Sequence, residues 1–189
     1  PALPDGAEAG ILKGMYRLHA GGRGKVRVNL LGSGTILREV IGAAELLEAE
    51  FGVPADVFSV TSFSELRRDA LDAERWNLLH CDQPPRVPYV QEVLGGQQGP
   101  FVAATDYMRI VADQIRQWVP GAFHVLGTDG YGRSDSRAAL RGFFEVDYRY
   151  VVLATLKLLA DESQLDRATV MSAIEKFGID PEKPNPVTV

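Results

Sequence analysis

The chain has 189 residues, 46% hydrophobic and 24% charged, which is the balance of a folded globular protein and excludes a disordered segment. A net charge of −5 argues against broad electrostatic binding to nucleic acid, and no basic stripe with interleaved aromatics is present. The longest apolar run, Tyr150 to Leu156, is far shorter than the ~20 residues needed to cross a bilayer, so no membrane association is expected.

In chain order, PALPDGAEAG carries neither a basic leader nor an apolar signal region. Cys81, the only cysteine, cannot form an internal disulfide and fits a reducing compartment; together these predict a cytoplasmic location. Tyr16 to Ala20 is a candidate short strand ahead of GGRG. Val26 to Leu31 predicts a strand, the GSG that follows breaks it, and Ile36, Leu37, Val40, Ile41, Ala44 and Leu47 recur at helical spacing. Glu45, Glu48 and Glu50 flank that stripe as its solvated face. Val57 to Val60 predicts the next strand, and Ser62 with Glu65 has the form of a capping box opening a helix. Further strands are expected at Phe101 to Thr105 and Phe123 to Leu126. Between them, a helix over Tyr107 to Val119 would bury Ile110, Val111, Ile115 and Val119. Helices follow over Ser136 to Phe143, with Ser134 and Asp135 as capping oxygens, over Tyr148 to Leu159, and over Arg167 to Phe177, capped by Asp166 and stopped by Gly178. The last nine residues, PEKPNPVTV, read as a Pro-rich tail, extended or frayed. Strands alternating with such helices predict an α/β sandwich with a largely parallel sheet.

Two loops carry the candidate chemistry. GSGT (Gly32, Ser33, Gly34, Thr35) opens a helix after a strand and is a candidate anion site. It lacks the third glycine of a dinucleotide loop, because Leu37 stands there, so a simple tight turn is the stronger reading. The run GTDGYGRSDSRAAL places Gly127, Gly130 and Gly132, permissive of positive φ or close approach, beside Asp129, Arg133, Ser134 and Asp135. Two aspartates and an arginine without histidine make no triad, so this loop reads as a structural or interface element whose Arg133 pairs with carboxylates. His80 and Cys81 adjoin but lack an orienting third group, and His19 and His124 stand alone, so no catalytic or metal-binding residue is assigned.

The ordered strings VRVNLLGSGTILREV, DVFSVTSFSELRRDA, ERWNLLH, PRVPYV, ATDYM and GTDGYGRSDS resemble, across essentially the whole chain, the carboxy-terminal domain of the homodimeric bacterial pyruvate dehydrogenases. The resemblance implies a three-layer α/β/α sandwich of the transketolase C-terminal type, with a mixed, mostly parallel sheet of about five strands whose first is antiparallel. It implies residues 1–14 as a connector from a middle domain, 15–180 as the domain and 181–189 as the tail. It further implies a parent enzyme that decarboxylates pyruvate on thiamine diphosphate and reductively acetylates lipoyl groups. The thiamine diphosphate and Mg2+ motif of that family, a GDG start ending in paired asparagines, is not in these residues, so the chain itself is expected to bind no cofactor. The implied partners are the other domains, a homodimer partner and the lipoyl-bearing acyltransferase component. Rival readings are a stand-alone nucleotide-binding regulatory domain and a docking module for the acyltransferase. The same topology places Gly32 to Gly34 and the pair Thr105 and Asp106 at the carboxyl ends of neighbouring parallel strands, beside a crevice.

Overall fold

A computed structural model describes residues 2–189; of the expected connector, Pro1 lies outside the described residues. The strands are β1 (Met15–His19), β2 (Val28–Ser33), β3 (Ala55–Val60), β4 (Phe101–Ala104) and β5 (Phe123–Leu126). They form one sheet in the order β1-β3-β2-β4-β5. β2 to β5 pair in parallel, whereas β1 runs antiparallel to β3 with a register shift between Arg17 and His19.

β2 and β3 are buried at every position because helices cover both faces. Successive side chains therefore enter opposite cores: Leu30 and Val57 point to one layer, their neighbours Leu31 and Phe58 to the other. The first layer is built by α2 (Leu37–Phe51), α7 (Tyr148–Asp161) and α8 (Arg167–Lys176), with Val40, Leu47, Val151 and Leu156 inside. The second is built by α3 (Phe63–Leu79), with Leu66 and Ala70 inward, joined by Leu94, Ile115 and Trp118 from the later segments. Each such fully buried Val, Leu or Ile side chain contributes about 1.5–3 kcal/mol by leaving water. Two buried polar side chains are held by bonds: Asp56 accepts from Gly21 N at 3.1 Å and meets Arg27 at 2.7 Å, and Asn29 Nδ2 donates to Gln98 O at 2.9 Å, while Asn29 Oδ1 is buried without a partner among the described residues.

The expected helix over Tyr107 to Val119 is broken. It forms only α5 (Arg109–Asp113) and then a 3₁₀ turn, Arg116–Trp118. Tightening the chain there buries Trp118, whose indole donates to Glu74 Oε1 at 2.8 Å, and leaves Ile110 63% exposed instead of on the core face. Helix α6 (Arg137–Phe143) is capped by neither Ser134 nor Asp135: Ser136 Oγ accepts from Ala139 N at 3.3 Å, while Asp135 accepts from Ser136 N. Two short helices escaped the sequence reading, α1 (Glu8–Lys13), inside the expected connector, and α4 (Tyr89–Leu94). The tail is not frayed. Pro186 is buried, and Lys183 Nζ donates to Phe143 O at 2.6 Å.

Candidate functional site

β2 and β4 lie side by side, but the chain leaves β2 toward β3 and leaves β4 toward β5, so the loops at their carboxyl ends diverge. Gly34 and Asp106 follow these two strand ends, as expected. The divergence opens a cleft of about 350 Å³. Thr35, Asp106, Thr128, Arg133, Arg137 and Arg141 supply its polar lining, and Ile36, Leu140, Phe144 and Val146 its apolar one.

The GSGT loop makes a tight turn into α2. Gly32 lies within β2, where a Cβ would come 2.8 Å from Leu37 Cα, so the glycine is what lets the helix start so close to the sheet. Gly34 has φ +58°, and a Cβ there would sit 2.9 Å from Asp106 Oδ1. Thr35 Oγ1 donates to Asp106 Oδ2 at 3.2 Å. The Asp106 carboxylate thus lies against this loop, and its charge opposes an external anion there. Leu37 stands at the third glycine position, and the close helix approach that a glycine would allow there is made from the strand side by Gly32.

The 127–135 loop is held along the segment after β4. Thr128 N donates to Tyr107 O at 2.9 Å, and its hydroxyl donates to Asp106 O at 2.8 Å. Asp129 accepts from Arg109 N at 3.3 Å and lies 3.0 Å from Arg109 Nε, an ion pair without good hydrogen-bond alignment. The three glycines differ. A Cβ at Gly127 would come 2.7 Å from Tyr107 O, Gly130 has φ +109° with Pro186 O 2.5 Å from the Cβ position, and Gly132 needs neither freedom. Arg133 does not pair with a carboxylate among the described residues; its guanidinium stacks 4.3 Å from the Phe143 ring centroid. Ser134 and Asp135 are exposed.

Sequence reasoning missed three contributors. Arg109 gives Asp129 its partner, Arg137 joins the rim, and Arg141 reaches Glu39 at 2.6 Å across 102 residues of sequence. Their only signal was basic residues on either side of the glycine-rich loop. Elsewhere, His80 stacks on Trp76 at 4.4 Å and Nδ1 lies 2.8 Å from Trp76 O, a use in local packing. Among the described residues no group of three or more His, Cys, Asp or Glu is placed to hold a metal.

An αβα sheet with one antiparallel edge strand and a cleft at its switch point is the architecture of transketolase-type carboxy-terminal domains. The profile of the transketolase-like TK C-terminal domain matches residues 14–147, and the chain belongs to that family. Over 99% of its length it is 59% identical to the pyruvate dehydrogenase E1 component of Pseudomonas aeruginosa, and over 98% it is 54% identical to that of Escherichia coli (strain K12). It spans 21% of each of these relatives. Transketolase from Leishmania mexicana shares the fold at TM-score 0.54 and 20% identity, covering 81% of this chain and 19% of that one. A Pichia stipitis transketolase does so at TM-score 0.57 and 18% identity, covering 86% and 20%. No helix among the described residues is long and apolar enough to cross a membrane.

Proposed function

We propose that this chain is the carboxy-terminal domain of a pyruvate dehydrogenase E1 component, and that it supports that enzyme's chemistry without performing it. The observation that carries this reading is 59% identity over 99% of the chain to a relative of which the chain spans only 21%. The parent reaction would be decarboxylation of pyruvate on thiamine diphosphate, followed by reductive acetylation of lipoyl groups on the acyltransferase component in the cytoplasm. The residues here do not fit the cofactor. Mg2+ favours octahedral oxygen coordination, and Asp106, already engaged by Thr35, is the sole carboxylate lining the cleft.

The role assigned to this domain is to buttress the middle domain and extend the contact with the homodimer partner. Supporting it, Asp129 accepts from Arg109 N, Asp135 accepts from Ser136 N, and Arg133 stacks on Phe143, uses that hold the loop together. The 127–135 loop reads as a structural and interface element. Calorimetry tests the cofactor half: the 189-residue chain should neither bind thiamine diphosphate with Mg2+ nor decarboxylate pyruvate, and saturable micromolar binding would overturn it. For the interface half, Arg133→Ala in the full-length polypeptide should weaken dimer assembly or substrate access. If assembly stays intact and single-turnover chemistry collapses instead, Arg133 belongs among the catalytic residues.

A further inference from the structure

The switch-point cleft carries more positive charge than its own structure neutralises. Of its three arginines, Arg141 is matched by Glu39 at 2.6 Å. Arg133 and Arg137 form no ion pair among the described residues. Stacking on Phe143 uses the flat face of the Arg133 guanidinium and leaves its in-plane N–H groups available to an acceptor. Against them stands only the Asp106 carboxylate among the described lining residues, so on a chain of net charge −5 this partly apolar cleft keeps a net positive sign.

That combination selects a class of ligand. Two planar forks suit a dianion with three oxygens, whereas a single carboxylate can fill only one fork. A space of about 350 Å³ lies at the small end of the range for small-molecule sites, enough for one ring-sized body. Asp106 seals the GSGT end, so the anion belongs at the arginine side of the cleft. We propose that this cleft binds a phosphate monoester with a small apolar or aromatic body, the phosphate on Arg133 and Arg137 and the body over Leu140, Phe144 and Val146. The proposal rests on the cleft of this chain and not on the domain assignment, and at Arg133 it is an alternative to the interface contact proposed above.

The test is a titration of the 189-residue chain with phenyl phosphate, followed by amide chemical shifts, with inorganic phosphate, benzoate and phenol as separate arms. Phenyl phosphate should give saturable shifts at Thr128, Gly132 and Leu140 with Kd of about a millimolar or tighter. Inorganic phosphate and benzoate should bind about tenfold more weakly, and phenol should not saturate. The double variant Arg133→Ala/Arg137→Ala should lose about tenfold or more in affinity, while Arg75→Ala, exposed on α3, should bind as the parent does. Absence of saturable phenyl phosphate binding overturns the proposal, whatever the variants do. So does equal affinity for inorganic phosphate or benzoate, or binding that survives loss of both arginines. Either result leaves the domain assignment standing.

Discussion

Gly130 and Gly132 sit two residues apart in one exposed loop, yet valine should be felt very differently at each. Gly130 has φ +109° and its Cβ position meets the Pro186 carbonyl at 2.5 Å, so Gly130→Val should cost ~1 kcal/mol or more from backbone strain, with crowding added. Gly132→Val meets open space at ordinary φ and should stay within about 0.5 kcal/mol of the parent. Urea unfolding of the two variants checks this, and equal losses would mean that the tail does not lie on the loop in solution. His124 offers a second reading at this scale. Burial lowers its pKa, with Arg109 and Arg116 adding to the effect, although the residue is still exposed on the outer strand. The unfolded chain therefore takes up this proton first: stability is full above the unfolded value of about 6.5 and declines as pH falls through it. Solvent access keeps the effect small. Melting curves between pH 7.5 and 5, roughly spanning that value, should show a slope that His124→Gln reduces; an unchanged slope would place the pH dependence elsewhere.

Among the helices, the two aspartate caps of the carboxy-terminal half should rank by burial. Asp147 is 6% exposed, accepts from Arg149 N at 3.0 Å and Tyr150 N at 3.3 Å, and pairs with the Arg149 guanidinium at 2.6 Å. Asp147→Ala should cost about 2 kcal/mol, the upper end for a lost cap, because it also leaves two partly buried N–H groups and the Arg149 guanidinium without their acceptor. Asp166→Ala, at an exposed start of α8, should cost about 1 kcal/mol. A reversed order in thermal unfolding would contradict the burial argument. Asp166 was legible in the sequence because a long amphipathic run follows it. The capping box at α3 was half legible: Ser62 Oγ accepts from Glu65 N at 3.1 Å, but the Glu65 carboxylate turns to Arg68 at 2.6 Å. Helices α1 and α4 span six residues each, too few for a 3.6-residue period to show. The break after Asp113 was hidden for another reason: Val111, Ile115 and Val119 keep helical spacing across it although the helix ends.

At the level of the whole molecule, the sheet was legible because β2 to β4 are short apolar runs between turn signals, and the antiparallel β1 was fixed only by family resemblance. The crevice between Gly32 to Gly34 and the pair Thr105 and Asp106 was expected from the family topology, but the place of the 127–135 loop, Arg137 and Arg141 in that cleft was not legible. Asp106 against Thr35 and Arg141 against Glu39 join positions 71 and 102 residues apart, and such contacts follow from strand order, which local pattern does not encode. The tail closes this arrangement: Lys183 donates to Gly142 O and Phe143 O, and Pro186 packs by Gly130. Deleting residues 181–189 should therefore lower the melting temperature and speed amide exchange across residues 128–144; unchanged exchange would show that the tail is passive. The sheet has β1 and β5 as its two edge strands. β1 has five residues, with its ladder displaced between Arg17 and His19, and β5 has only four. A stranger's strand seeking to extend the sheet would find a kinked, interrupted rail at one side and a stub at the other, so two molecules meeting margin to margin gain too few bonds to stay joined, and crowding in concentrated solution need not lead to fibres.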